Sequence, residues 1–214
     1  MNVRTVTLVV ALAGLGAACT NLERSRDLGN PKVPAETLAA QVCSNCHGLD
    51  GNSISPNFPH LAGAPEPYLE KQLKAFKGHN RLDPAGFEYM WGLSRFLSDE
   101  QITGLAAYYA KQQPVSPGVS ENHQLVAEGR NIFEKGLPDK NIPPCAVCHG
   151  QSGQGNGEYP RLAFQHEDYL VKQLTVFQRT DQRPEGAVMK TIAHGLELGD
   201  MKAVAAFLQE FPAQ

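Results

Sequence analysis

Two pentapeptides in this chain could do chemistry, Cys43-Ser44-Asn45-Cys46-His47 and Cys145-Ala146-Val147-Cys148-His149. Each places two thiols one helical turn apart with an imidazole directly after them. That spacing lets the thiols add across the two vinyl groups of a haem while the histidine is carried under the iron as its proximal ligand. Four thiols also admit a structural zinc, a pair of thioredoxin-like redox motifs or two disulfides. Zinc would have to tie together two distant segments and leave His47 and His149 unused, and no βαβ pattern accompanies the motifs. The duplicated signature therefore predicts two haem c groups, thioether-linked through Cys43 and Cys46 and through Cys145 and Cys148.

The elements around the motifs repeat as well. Pro59-His60-Leu61-Ala62, Tyr68-Leu69, Gln72-Leu73 and Phe76 return as Pro160-Arg161-Leu162-Ala163, Tyr169-Leu170, Gln173-Leu174 and Phe177, a constant offset of 101. Met90, Leu97 and Leu105-Ala106-Ala107-Tyr108 return at an offset of 99 as Met189, Leu196 and Val204-Ala205-Ala206-Phe207. Such repetition means two copies of one domain. Apolar spacing at i, i+1, i+4, i+5 and i+8 through Tyr68–Phe76 is helical, and Ser98 with Gln101 forms a capping box for the helix running through Tyr109. The second copy's last helix begins near Asp200. Gln112-Gln113-Pro114-Val115-Ser116-Pro117-Gly118 cannot continue a helix and reads as a linker. The expected division is residues 31–113, a linker at 114–120, and 121–214. Each copy, about 90 residues with about three helices and long loops, is thin for a self-sufficient core. A covalently held macrocycle supplies the missing apolar volume.

The sixth iron ligand must come from farther along each copy. Met90 and Met189 occupy matching places, which predicts ligation at His47/Met90 and His149/Met189, although a methionine is ordinarily gap-filling core material. Met201 aligns with Ile102 inside the last helix and reads as core. His60, His79, His123, His166 and His194 do not repeat and read as surface or locally hydrogen-bonded. Methionine ligation raises the haem potential and closes both coordination positions, as suits electron transfer.

The chain has 214 residues, a formal charge of -3, 42% apolar and 19% charged residues, with no basic field for nucleic acid. Residues 1–18, with Arg4 ahead of an uncharged, small-residue stretch, read as an export signal too short to span a bilayer. Leu15-Gly16-Ala17-Ala18-Cys19 resembles a bacterial lipobox, which makes Cys19 a lipidation site and 19–30 a tether. The competing reading is ordinary signal cleavage, leaving Cys19 a free thiol. Lys71, Lys74, Lys77 and Arg81 lie at helical spacing, either as a docking face for an acidic partner or as a solvated helix face.

These features together resemble the bacterial cytochrome c4 group, dihaem relatives of class I cytochrome c, from about Glu36 to Phe211. The marks are the paired Cys-x-x-Cys-His motifs, the Tyr-Leu-x-x-Gln-Leu-x-x-Phe helices, Leu97-Ser98-Asp99-Glu100-Gln101-Ile102, and Ala106-Ala107-Tyr108-Tyr109. The resemblance implies an all-α fold of two tandem class I cytochrome c-like domains, related by a pseudo-twofold, each wrapped around one covalently bound haem. It implies that Pro59 and Pro160 accept the ring N–H of the proximal histidines. It also implies a periplasmic carrier of single electrons, not an enzyme, from a quinol-oxidising or dehydrogenase complex to a terminal oxidase or reductase. Alternatives are a permanent electron-transfer subunit of a larger oxidoreductase, or a thiosulfate dehydrogenase-like or peroxidase-like dihaem enzyme. The family's Pro-Met-Met style of axial segment is absent, since Phe87-Glu88-Tyr89-Met90 and Gly186-Ala187-Val188-Met189 each carry one methionine, and the lipobox is not a general family feature.

Overall fold

The computed structural model describes residues 26–179 and 181–211, so the predicted signal and Cys19 lie outside the described residues. Among the described residues the fold is helical, with two isolated bridges, Leu137 to Ile142 and Asn156 to Tyr159, and no strand. In the first half a continuous helical run comprises Ala35–Leu38, a π-helical stretch Ala39–Cys43 and Ser44–His47. Glu66–Lys77, the short pair Gly86–Met90 and Trp91–Ser94, and Asp99–Ala110 follow. The second half repeats this plan with His123–Lys135, Ala146–His149, Glu167–Arg179, Ala187–His194 and Leu198–Glu210. More helices form than the three per copy expected.

Local chemistry sets the boundaries. The Ser98–Gln101 capping box forms, the Ser98 hydroxyl accepting from Gln101 N and the Gln101 side chain accepting from Ser98 N. The second copy uses Glu197 and Asp200 in the same reciprocal way, so its last helix starts at Leu198, just ahead of Asp200. Glutamate is a poor N-cap by propensity, which hid that start. The end of the expected tether is part of the fold: Leu28 packs on the first core, and Asn30 O accepts from Gln101 Nε2 at 2.9 Å.

In each half the first and last helices cross closely, but the small residue changes sides. In the first half Gly104 of the last helix faces Ala35, where an added Cβ would lie 2.6 Å from the alanine methyl. In the second Gly129 of the first helix faces Ala203, and a Cβ there would run into the Ala203 carbonyl oxygen. Beneath that crossing Phe133, Phe207 and Phe211 form a ring cluster with centroids 4.9 to 5.6 Å apart.

The segment between the halves is strapped down at both ends. Asn52 donates to Gln113 O and accepts from Val115 N on one side. Ser116 Oγ donates to Gln209 O and Ser120 N to Glu210 on the other.

The halves meet through buried polar groups. Gln165 brackets the His60 backbone, its Oε1 accepting from His60 N at 2.8 Å and its Nε2 donating to His60 O at 3.0 Å. Arg161 donates to Ala62 O at 2.9 Å and to Ala163 O, holding a buried charge on carbonyls. The His60 and His166 rings meet edge to face at 4.3 Å, and both Nε2 atoms lie 2.9 Å from Ser53 O. One carbonyl acceptor for both requires both to be Nε2-protonated. This corrects the expectation of surface or locally bonded histidines: His60 and His166 are buried between the domains. Burial and the adjacent His166 and Arg161 push His60 down to about 4 against the pull of the Ser53 carbonyl and Asp50, and its buried Nδ1 has no partner.

Gly129→Ala should lower stability by about 2 kcal/mol despite the gain in helix propensity, because the obstacle is backbone; a thermal melt measures this. His60 is depressed from its unfolded value of 6.5, so its contribution is complete above 6.5 and is lost as the pH falls from there toward about 4. Denaturant midpoints at a series of pH values should therefore fall across that window, and less steeply in His60→Gln, whose amide can donate to Ser53 O without titrating.

Candidate functional site

Each cysteine motif occupies one helical turn closed by glycine. Gly48 follows His47 at φ 77° and Gly150 follows His149 at φ 83°, both in the left-handed region open to glycine. A side chain at 48 would strike the Asn52 carbonyl, and one at 150 the Gln154 amide. This sharp exit lets the chain loop back to a proline. His47 Nδ1–H donates to Pro59 O at 2.9 Å, and His149 Nδ1–H donates to Pro160 O at 2.9 Å. Engaging Nδ1 fixes the tautomer and reserves Nε2, with its lone pair, for a metal. Burial lowers the pKa of both rings, more than the proline carbonyls raise it, so both are neutral as ligands must be.

Sequence reasoning missed two flanking rings. Phe58 stands edge-on to His47 at 6.2 Å and Tyr159 edge-on to His149 at 6.1 Å. Their position immediately before Pro59 and Pro160 was the available signal. Ser53 was missed as well: its hydroxyl donates to Cys46 O at 2.9 Å while its carbonyl receives the two interface histidines. The first cysteine motif is thereby joined to the domain interface through one residue.

Cys43, Cys46, Cys145 and Cys148 are half-buried free thiols. Burial pushes Cys43 and Cys145 up to about 11, opposite to the depressed value of a thioredoxin-like nucleophile. No three His, Cys, Asp or Glu side chains gather as a metal-binding cluster among the described residues. Two thiols on one turn with a neutral imidazole whose Nε2 is reserved match the needs of covalent haem attachment.

The two methionine segments are built alike. Met90 ends the Gly86–Met90 turn and Met189 lies in the first turn of Ala187–His194; both are half-buried. A glycine seats each segment against the middle helix: a Cβ at Gly86 would lie 3.1 Å from the Phe76 ring, and one at Gly186 would strike Phe177. Met201 is buried in a cluster with Ile142 and Leu196 and is core.

Of the two readings of Lys71, Lys74, Lys77 and Arg81, the solvated helix face fits the three lysines and fails for Arg81. Arg81 is buried on Asp83, while Lys71 pairs with Glu158, Lys74 with Glu70, and Lys77 with Asp99 and Leu97 O. Helical spacing fails for Arg81 because Glu66–Lys77 has ended before it. His79 is exposed and stacks on Phe87 and Trp91 at 5.3 and 4.9 Å.

The sequence profile of the cytochrome c family matches this chain twice, at residues 33–112 and 126–211. Cytochrome c4 of Azotobacter vinelandii is 35% identical over 98% of this chain and 99% of its own length. A thiosulfate dehydrogenase electron acceptor of Thiomonas intermedia is 32% identical, covering 95% of this chain and 91% of that one. The solved structure of Acidithiobacillus ferrooxidans cytochrome c4 superposes with a TM-score of 0.73 at 40% identity, over 78% of this chain and 96% of its own.

Proposed function

Because the chain belongs to the cytochrome c family, and within it to the dihaem cytochrome c4 electron carriers with two covalently bound haem c groups, we propose how its own residues hold and tune the two redox centres. Cys43 and Cys46 would anchor one haem and Cys145 and Cys148 the other, with His47 and Met90, and His149 and Met189, as the residues that would ligate the irons. The bound haem iron supplies one-electron chemistry, alternating between ferrous and ferric states. The observation that carries this reading is the duplicated bond from the buried histidine to the proline carbonyl, 2.9 Å in both halves. A hydrogen-bonded Nδ1 keeps each ring at one angle and raises its basicity, which stabilises the ferric form. A methionine thioether ligand would favour the ferrous form, and the balance of the two ligands would set the potential.

We further propose residues 31–113 and 121–214 as the two domains, and a periplasmic location with Cys19 lipidated and the protein tethered. No helix among the described residues is long and apolar enough to cross a membrane. The donor in this reading is a quinol-oxidising or dehydrogenase complex and the acceptor a terminal oxidase or reductase. The similarity to a protein named as the electron acceptor of thiosulfate dehydrogenase supports a dehydrogenase donor, with this chain on the accepting side of that exchange.

A redox titration followed by optical and EPR spectra should show two low-spin centres at positive potential. In Met189→His the second centre's potential should fall and the weak red absorption of an iron(III)–thioether bond at that centre disappear; an unchanged spectrum would refute the ligand assignment. Mass spectrometry of membrane-extracted protein should find Cys19 acylated as the first residue, whereas an unacylated N-terminus beyond residue 19 rejects the tether.

A further inference from the structure

Arg81 and Arg183 form a reciprocal clamp across the domain boundary. Arg81 Nη1 donates to Gln72 Oε1 of its own half at 2.6 Å, and its Nη2 reaches Gln173 Oε1 of the other half at 3.3 Å. Arg183 mirrors this, with Nη1 to Gln173 at 2.6 Å and Nη2 to Gln72 at 3.1 Å. Each glutamine oxygen thus receives one arginine from each domain, and all four residues are buried. Both guanidinium groups lie over aromatic rings, Phe76 at 4.6 Å and Phe177 at 4.4 Å. Their remaining Nε–H groups pair with Asp83 at 2.7 Å and Glu185 at 2.9 Å, so the clamp carries two positive and two negative charges. A backbone bond from Leu82 N to Gln182 O at 2.7 Å closes it.

The position of the clamp matters for the two redox centres. Gly86, which opens the Met90 segment, packs directly against the Arg81 carbonyl, and Gly186, which precedes the Met189 segment, follows Arg183 by three residues and packs on Phe177. The His60, Arg161 and Gln165 contacts join the halves beside the two prolines that hold the proximal histidines. The arginine clamp joins them beside the two methionine segments. Together the two joints oppose rotation of one site relative to the other about the linker.

We propose that Arg81, Arg183, Gln72 and Gln173 are positioning residues for electron exchange between the two haems, holding the centres at one separation and orientation. The exchange itself moves one electron, the ferrous centre becoming ferric as its neighbour becomes ferrous, with no atom transferred. Tunnelling falls exponentially with separation, so a small opening at the clamp slows it. The inference rests on the dihaem carrier reading. A planar guanidinium can bridge two acceptors at once, whereas a lysine ammonium keeps the charge without the fork.

The test uses the mature dihaem protein with Arg81→Lys and, separately, Gln173→Leu. In half-reduced samples, intramolecular exchange is followed by flash-triggered absorption, and the shift of one midpoint potential on oxidation of the other haem is read by titration. Both variants should exchange several-fold more slowly and show a smaller mutual shift, with unchanged low-spin EPR and optical spectra. Exchange and mutual shift at parental values, or slowing accompanied by loss of a low-spin signal, would overturn the assignment; the latter would mean disturbed ligation. Should one variant fail to fold, the other decides. Parental protein with fewer than two haems per chain would instead defeat the dihaem reading itself, a failure visible before any variant is measured.

Discussion

A buried imidazole that gives its Nδ1 proton to a proline carbonyl recurs in both halves of this molecule, and most other features follow from keeping that bond in place. The bond requires the chain to turn sharply after the histidine, hence the glycine at positive φ, and to return within a dozen residues to the proline. It holds a ring that is buried in both halves, with Phe58 and Tyr159 edge-on beside the two rings. Burial alone would keep the histidine neutral but leave its tautomer and angle open. The carbonyl decides both, leaving the Nε2 lone pair available to a metal.

The same economy shapes the rest of each half. The four cysteines and the two methionines are only half-buried, and domains of this size commonly rely on a bound group to complete a small core. Where the chain packs on itself it does so tightly, with bare backbone at Gly104 and Gly129 allowing the terminal helices to cross. The exchange of the glycine from last helix to first shows that the crossing distance is retained while the residue that permits it is not.

Between the halves the structure uses buried polar contacts: two histidines on one carbonyl, an arginine on carbonyls, and two arginines cross-bonded to two glutamines. Such groups are costly when unsatisfied and directional when satisfied. A polar interface therefore favours one relative orientation of the halves, and orientation is what a two-centre electron carrier needs. Ser53 connects this interface to the first cysteine motif through the Cys46 carbonyl, so interface and haem site are one bonded network in that half.

Much of this was legible in the chain itself, because haem attachment is a local matter of five residues and duplication shows as a constant offset. The two Cys-x-x-Cys-His motifs, the middle helices and the Ser98 cap depend on neighbours within one or two turns. Helices beginning at unusual caps, such as Glu197, were blurred, and His123–Lys135 was overlooked although Leu125, Val126, Gly129, Ile132 and Phe133 carry its period. The interface was not legible at all. His60 and His166 read as surface or locally hydrogen-bonded, Arg81 as part of a helix face, and Arg183 carried no local signal, because composition expects charge to be solvated. Their true environment is a partner about a hundred positions away, at distances that no local pattern encodes. The residues therefore determined by themselves what each half binds, and only the tertiary structure decided how the two halves face one another, since that depends on buried donors finding acceptors across the chain.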